Sequence, residues 1–120
     1  MEANVNAVIK TAEIIREIVR DIEKGEGRGV VAGRFHNTLI RMLTDACLKI
    51  REESGIEEVA ASGGAFQNMT FLSGLTRALL AKGFRVYTHA GVPSNDGGLS
   101  LGQAVCAGLR YSGVKGEFED

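Results

Sequence analysis

The stretch IEEVAASGGAFQNMTFLSGLTRALLAKGFRVYT, residues 56–88, decides how the chain folds. Its first seven residues lead from two glutamates through Val59-Ala60-Ala61 into Gly63-Gly64, the pattern of a short strand that ends in a tight turn. Asn68 can then cap a helix over about 69–82 that turns Phe71, Leu72, Leu75, Ala78 and Leu79 inward, with Gly83 behind it. Phe84-Arg-Val-Tyr-Thr88 alternates as a strand should. Strand, helix and strand in so short a span make a βαβ unit, whose two strands run parallel.

Outward from this unit the chain is helical. Upstream, Phe35, Leu39, Met42, Leu43, Ala46, Cys47 and Ile50 share a face of a helix over about 33–53, which Ser54-Gly55 stops. Before it, Val5, Val8, Ile9, Ala12, Ile15, Ile18, Val19 and Ile22 form an apolar stripe over residues 4–24, with Lys10, Glu13, Arg16, Glu17, Arg20 and Glu23 opposite. Gly25, Gly27 and Gly29 separate the two helices. Downstream, a loop with Pro93 and Ser94-Asn95-Asp96-Gly97-Gly98 leads into a helix over roughly 98–112. Its small residues Gly98, Gly102, Ala104, Ala107 and Gly108 are expected to bring it close to another element. The acidic tail GEFED is expected to fray.

The 120 residues carry 14 basic and 15 acidic side chains, a net charge of −1. That length suits a single α/β domain with one core, and the charge balance supplies no basic field for a nucleic acid partner. No run of about 18 apolar residues or secretory leader is visible, so a cytoplasmic chain away from membranes is expected. Cys47 and Cys106 lack the CxxC spacing of a zinc knuckle or redox pair and are expected to be buried.

Three places could carry chemistry. Gly63-Gly64 lies after a strand and before a helix, where bare backbone amides attract anions, yet it matches neither GxGxxG nor the P-loop. Nucleotide contact and an ordinary turn both fit. Asn95-Asp96-Gly97-Gly98 is a second such loop, and both should open on one rim, where ligands of α/β sheets gather. There Asp96 could ligate a metal, hold a hydroxyl, or merely cap a turn. His36, near the start of its helix, fits a neutral hydrogen-bonding group or a packed histidine. His89, past a strand end, reads as exposed loop chemistry. No GxSxG, Cys–His pair or metal-spaced histidines occur, so the chain by itself supplies only part of any reaction.

Three blocks, AGRFHNTL (32–39), SGGAFQN (62–68) and VYTHAGVPSNDGGLSLGQAVCAG (86–108), closely resemble the C-terminal part of the hydrogenase maturation carbamoyltransferase family HypF. Their order and spacing are specific, and the likeness runs from the first helix almost to the end. The resemblance implies a partial lobe of the actin-like, sugar-kinase-like ATPase fold, with a short parallel sheet and about four helices. The related transferases act on tRNA, antibiotics and nodulation factors. The family binds carbamoyl-adenylate and passes its carbamoyl group to the C-terminal cysteine of HypE, toward the cyanide ligands of nickel-iron hydrogenase.

By the same resemblance Gly63, Gly64 and Asn68 fall on the nucleotide-binding segment, and His36 lies near the nucleotide cleft. Asp96 falls on the aspartate that joins a histidine pair around a metal ion. The expected cofactors are an adenine nucleotide, carbamoyl-adenylate or ATP, and a divalent metal, iron or zinc, only if the missing ligands are supplied. Residues 1–120 read as one C-terminal segment, because the acylphosphatase-like, CxxC-bearing and adenylate-forming parts and the first lobe are not in it. Expected partners are therefore a HypE-like acceptor, the remaining lobes of the transferase, and a second copy of the chain when it is isolated. The competing readings are a non-catalytic nucleotide-binding or assembly subunit, and a chain that only pairs with protein.

Overall fold

A computed structural model describes residues 10–112. The order is α1 (Thr11–Glu23), α2 (Arg28–Ser54), β1 (Glu58–Ala60), a 3-10 turn (Gly64–Gln67), α3 (Met69–Ala81), β2 (Arg85–Tyr87), a second 3-10 turn (Asp96–Gly98) and α4 (Leu99–Tyr111). β1 and β2 pair in parallel, with Glu58 opposite Arg85, Val59 opposite Val86 and Ala60 opposite Tyr87. The α/β class, the four helices and the βαβ unit all follow the sequence expectation, though both strands are only three residues long.

The chain divides into two compact units. The first holds the described residues up to Ala60 together with Asn68–Tyr87, and thus α1, α2, α3 and both strands. Its core is a row on α3, Phe71, Leu75 and Leu79, with Phe84 at the entrance to β2 and Ile14 on α1. Leu79 is fully buried. Burial of this row at steps of four residues fixes the face that α3 presents to α2 and the strands. At Gly74 an added Cβ would lie 2.6 Å from Ile40 Cδ1, so α3 comes close to α2. Thr44, the buried polar residue of α2, donates from Oγ1 to the Ile40 carbonyl at 2.7 Å.

The turn chemistry was readable. Gly55 closes α2 in the left-handed region at φ 74°, and its amide donates to the Arg51 carbonyl. Asn68 caps α3, with Oδ1 accepting from the Phe71 amide at 3.2 Å. Arg51 then ties α2 to the turn before β2. Its Nη1 donates to the Lys82 carbonyl at 2.7 Å, and its guanidinium lies 4.3 Å from the centre of the Phe84 ring.

Three expectations need correction. The glycine break is narrower than the sequence suggested, because only Gly25 adopts a positive φ and α2 starts at Arg28 with Gly29 and Gly33 inside it. His36 therefore stands in the third turn of α2 and not near its start. On α1 the buried position is Ile14, while Ile15, Val19 and Ile22 are exposed, since among the described residues α1 packs mainly on α2 and buries a narrow row. The α1–α2 contact adds an ion pair at 2.8 Å between Arg34 and Asp21, a hydrogen bond that raises the Arg34 pKa. The expected helix over residues 4–9 and the tail lie outside the described residues.

The second unit contains Ala61–Gln67 and the residues from Thr88 onward. Among its described residues only Ala61 is buried. Every residue of α4 is exposed, and a Cβ added at Gly102 or Gly108 would meet nothing within 4 Å. Among the described residues the expected close packing of this helix is thus not seen, and Cys106 is exposed where it was expected to be buried. Among the described residues no helix is long and apolar enough to cross a membrane.

Candidate functional site

The two glycine loops follow directly on the two strands. The first leaves β1 through Ala61-Ser62-Gly63-Gly64, and the second leaves β2 through Thr88-His89 toward Asp96-Gly97-Gly98. They belong to the same unit and are joined twice: the Gly63 amide donates to the Ser94 carbonyl at 2.8 Å, and Ser62 Oγ hydrogen-bonds His89 Nε2 at 2.8 Å.

Gly63 has a φ of 112°, a conformation that side chains with a Cβ rarely adopt. Glycine is required there by the turn itself. Gly64 has an ordinary backbone, and a Cβ added to it would meet nothing within 4 Å. Open space beside a bare backbone is what a closely approaching ligand needs. The Gly63 amide, however, is engaged by Ser94 and offers no free donor.

In the second loop the capping role falls to Asn95. Its Oδ1 accepts from the Gly97 amide at 3.0 Å, and its carbonyl accepts from the Gly98 amide at 3.0 Å. Asp96 is left exposed, and among the described residues its carboxylate has no hydrogen-bond or ion-pair partner. Of the alternatives open at Asp96, the turn-capping one is therefore filled by its neighbour. Gly98 is held by sterics, since a Cβ would lie 2.7 Å from the Pro93 carbonyl oxygen and 3.1 Å from Val92 Cγ1.

His36 and Asn68 meet in the first unit. Asn68 Nδ2 lies 3.3 Å from His36 Nε2 and donates to it when the ring proton sits on Nδ1. The His36 ring is half-buried, with its centre 6.1 Å from that of Phe71. His36 is therefore a packed histidine whose partner is a side chain. With its oxygen on the α3 cap and its nitrogen on His36, Asn68 joins α2 to α3.

No group of three or more His, Cys, Asp or Glu side chains that could hold a metal gathers among the described residues. Asp96 offers one carboxylate where a protein metal shell draws on about three or four donors. The described residues therefore do not by themselves make a metal centre, and Asp96 can supply at most one of its donors. Sequence reasoning also missed the Ser62–His89 pair, the Asn95 cap and the approach of Pro93 to Gly98. Only the equal offset of Ser62 and His89 from their strands could have signalled the first.

Two glycine loops tied together within one unit, the second carrying an exposed carboxylate that has no partner among the described residues, make a polar loop pair in an α/β chain. The chain belongs to the family described as "Carbamoyltransferase, Kae1-like Domain, second subdomain", whose profile matches residues 1–103. It is 36% identical over 74 residues to the carbamoyltransferase HypF of Synechocystis sp., covering 62% of this chain and 9% of that protein. With HypF of Rhizobium leguminosarum bv. viciae it is 37% identical over 86 residues, 71% of this chain and 11% of that protein. A crystal structure of full-length HypF in the phosphate- and nucleotide-bound form superposes with a TM-score of 0.78 at 43% identity, covering 83% of this chain and 13% of that one. The chain thus spans about one-tenth of the length of these relatives.

Proposed function

We propose that this chain is the nucleotide-binding part of a HypF-type carbamoyltransferase, a portion of an actin-like lobe. In that role it provides one wall of a site for an adenine nucleotide, carbamoyl-adenylate or ATP. The whole transferase moves the carbamoyl group to the C-terminal cysteine of a HypE-like acceptor during nickel-iron hydrogenase maturation. Such a protein works in the cytoplasm.

The observation that carries this reading is the free carboxylate of Asp96 in a loop hydrogen-bonded to the Gly63-Gly64 loop. Family membership and the nucleotide-bound state of the HypF in the crystal support it. Gly63 and Gly64 allow close approach of the nucleotide. Asn68 and His36, which bond each other in the first unit, are weaker candidates for a polar contact to the adenylate. Asp96 gives one donor toward a divalent cation, iron or zinc, whose other donors come from beyond the described residues. The chain alone is then not catalytically complete.

A second reading, a non-catalytic nucleotide-binding or assembly subunit, is favoured by the exposed apolar residues of α4, Leu99, Leu101, Val105 and Leu109. Titration calorimetry of the chain with ATP, with and without divalent cation, separates the two. Metal-dependent binding that Asp96→Ala abolishes supports the transferase reading. Binding that ignores both metal and Asp96 supports the second, and no binding at all leaves only protein pairing.

A further inference from the structure

We infer that Ser62 and His89 are positioning residues, a latch that holds the two glycine loops in register; their bearing on ligand binding rests on the nucleotide reading above. Ala60 and Tyr87, the last paired residues of β1 and β2, face each other in the ladder. Ser62 and His89 each stand two residues further along, so the strand register carries on into this side-chain pair. The hydroxyl and the ring nitrogen meet at 2.8 Å, and the next residue, Gly63, makes the backbone bond to Ser94.

Little of these loops is fully buried. Ala61 is the buried residue of this unit among those described, and both members of the latch are exposed. The second loop also turns at Gly91, whose positive φ of 78° lies between His89 and Asp96. A loop with so little buried surface opens locally unless hydrogen bonds restrain it. The Ser62–His89 bond fixes the stem of the second loop before that bend. The Gly63–Ser94 bond fixes it after the bend, two residues from Asp96. Each makes the other cheaper to form, because one closed contact shortens the loop that the next must close.

Amide hydrogen exchange at Gly63, read by NMR on the chain without ligand, tests the latch. Ser62→Ala and His89→Ala are expected to speed that exchange by about tenfold, the effect of losing one hydrogen bond of ordinary strength. His89→Gln, which retains a nitrogen at similar reach, restores protection, and the double alanine variant is no faster than either single one. Protection at Leu79 stays as it was, which shows that the fold survives. Unchanged Gly63 exchange in both alanine variants overturns the latch, whatever happens to ligand binding. The positioning role then predicts ATP affinity falling in the alanine variants and recovering in His89→Gln; faster Gly63 exchange with undiminished ATP affinity overturns it. If the unaltered chain binds no ATP while His89→Ala still frees Gly63, the nucleotide reading fails and the latch stands.

Discussion

Gly98 has a backbone that any residue can adopt, with φ near −90°, yet no larger residue fits there. The obstacle is the Pro93 carbonyl oxygen, a backbone atom that cannot turn aside as a side chain would. Gly98→Ala should displace the 93–98 loop, seen as amide shift changes confined to that segment. Gly64→Ala is the contrasting case: its Cβ enters open space, so the melting temperature should hold while ATP affinity drops. Equal affinity in that variant would remove Gly64 from the proposed contact. The cysteines differ by environment. Burial raises the Cys47 thiol pKa, whereas Cys106 is exposed. The fold favours the protonated thiol at position 47, so this contribution is complete below the unfolded-state pKa and is lost as pH rises through the folded-state one. Cys47→Ala should flatten the alkaline arm of the stability profile. Iodoacetamide should modify Cys106 well before Cys47, as peptide mapping would show.

The α3 helix is the element best specified by sequence. Asn68 supplied the cap, and Phe71, Leu75 and Leu79 fell at the steps that reach the core. Leu79→Ala should cost about 2–5 kcal/mol, as burial without exposure demands, measured by denaturant unfolding. Asn68→Ala removes the cap and the His36 contact together and should cost about 1–2 kcal/mol. The strands were legible as a parallel pair because turn residues bracket them, although their ends shrank to three residues each. Helix α1 was legible only as a helix. An apolar stripe says that a face can be buried, and the number of neighbours decides how much of it is. The Ser62–His89 contact and the cap at Asn95 escaped the sequence for a related reason. Each depends on where two chain segments meet or on which of two adjacent polar residues turns inward, and spacing encodes neither.

Across the whole molecule the exposed apolar side chains are the main anomaly. Ile15, Val19 and Ile22 on α1, and Leu99, Leu101, Val105 and Leu109 on α4, lie open, and among the described residues the sheet has two strands. Apolar surface of this kind favours association, and relatives several times as long contain further sequence beyond the matched part. The isolated chain is expected to self-associate in sedimentation runs as concentration rises. Val105→Lys should reduce that tendency without lowering the melting temperature, because Val105 is 53% exposed and contributes little to the core. A strictly monomeric chain at high concentration would overturn this expectation.

The parallel pairing also sets an order of events during synthesis. Glu58 leaves the ribosome long before Arg85, its partner in the ladder, and all of α3 is made between them. β1 can therefore pair with β2 only after all of α3 has been made. For that interval the edge of Glu58–Ala60 that β2 later takes is without this partner, and pairing across a whole helix is among the slower steps of folding.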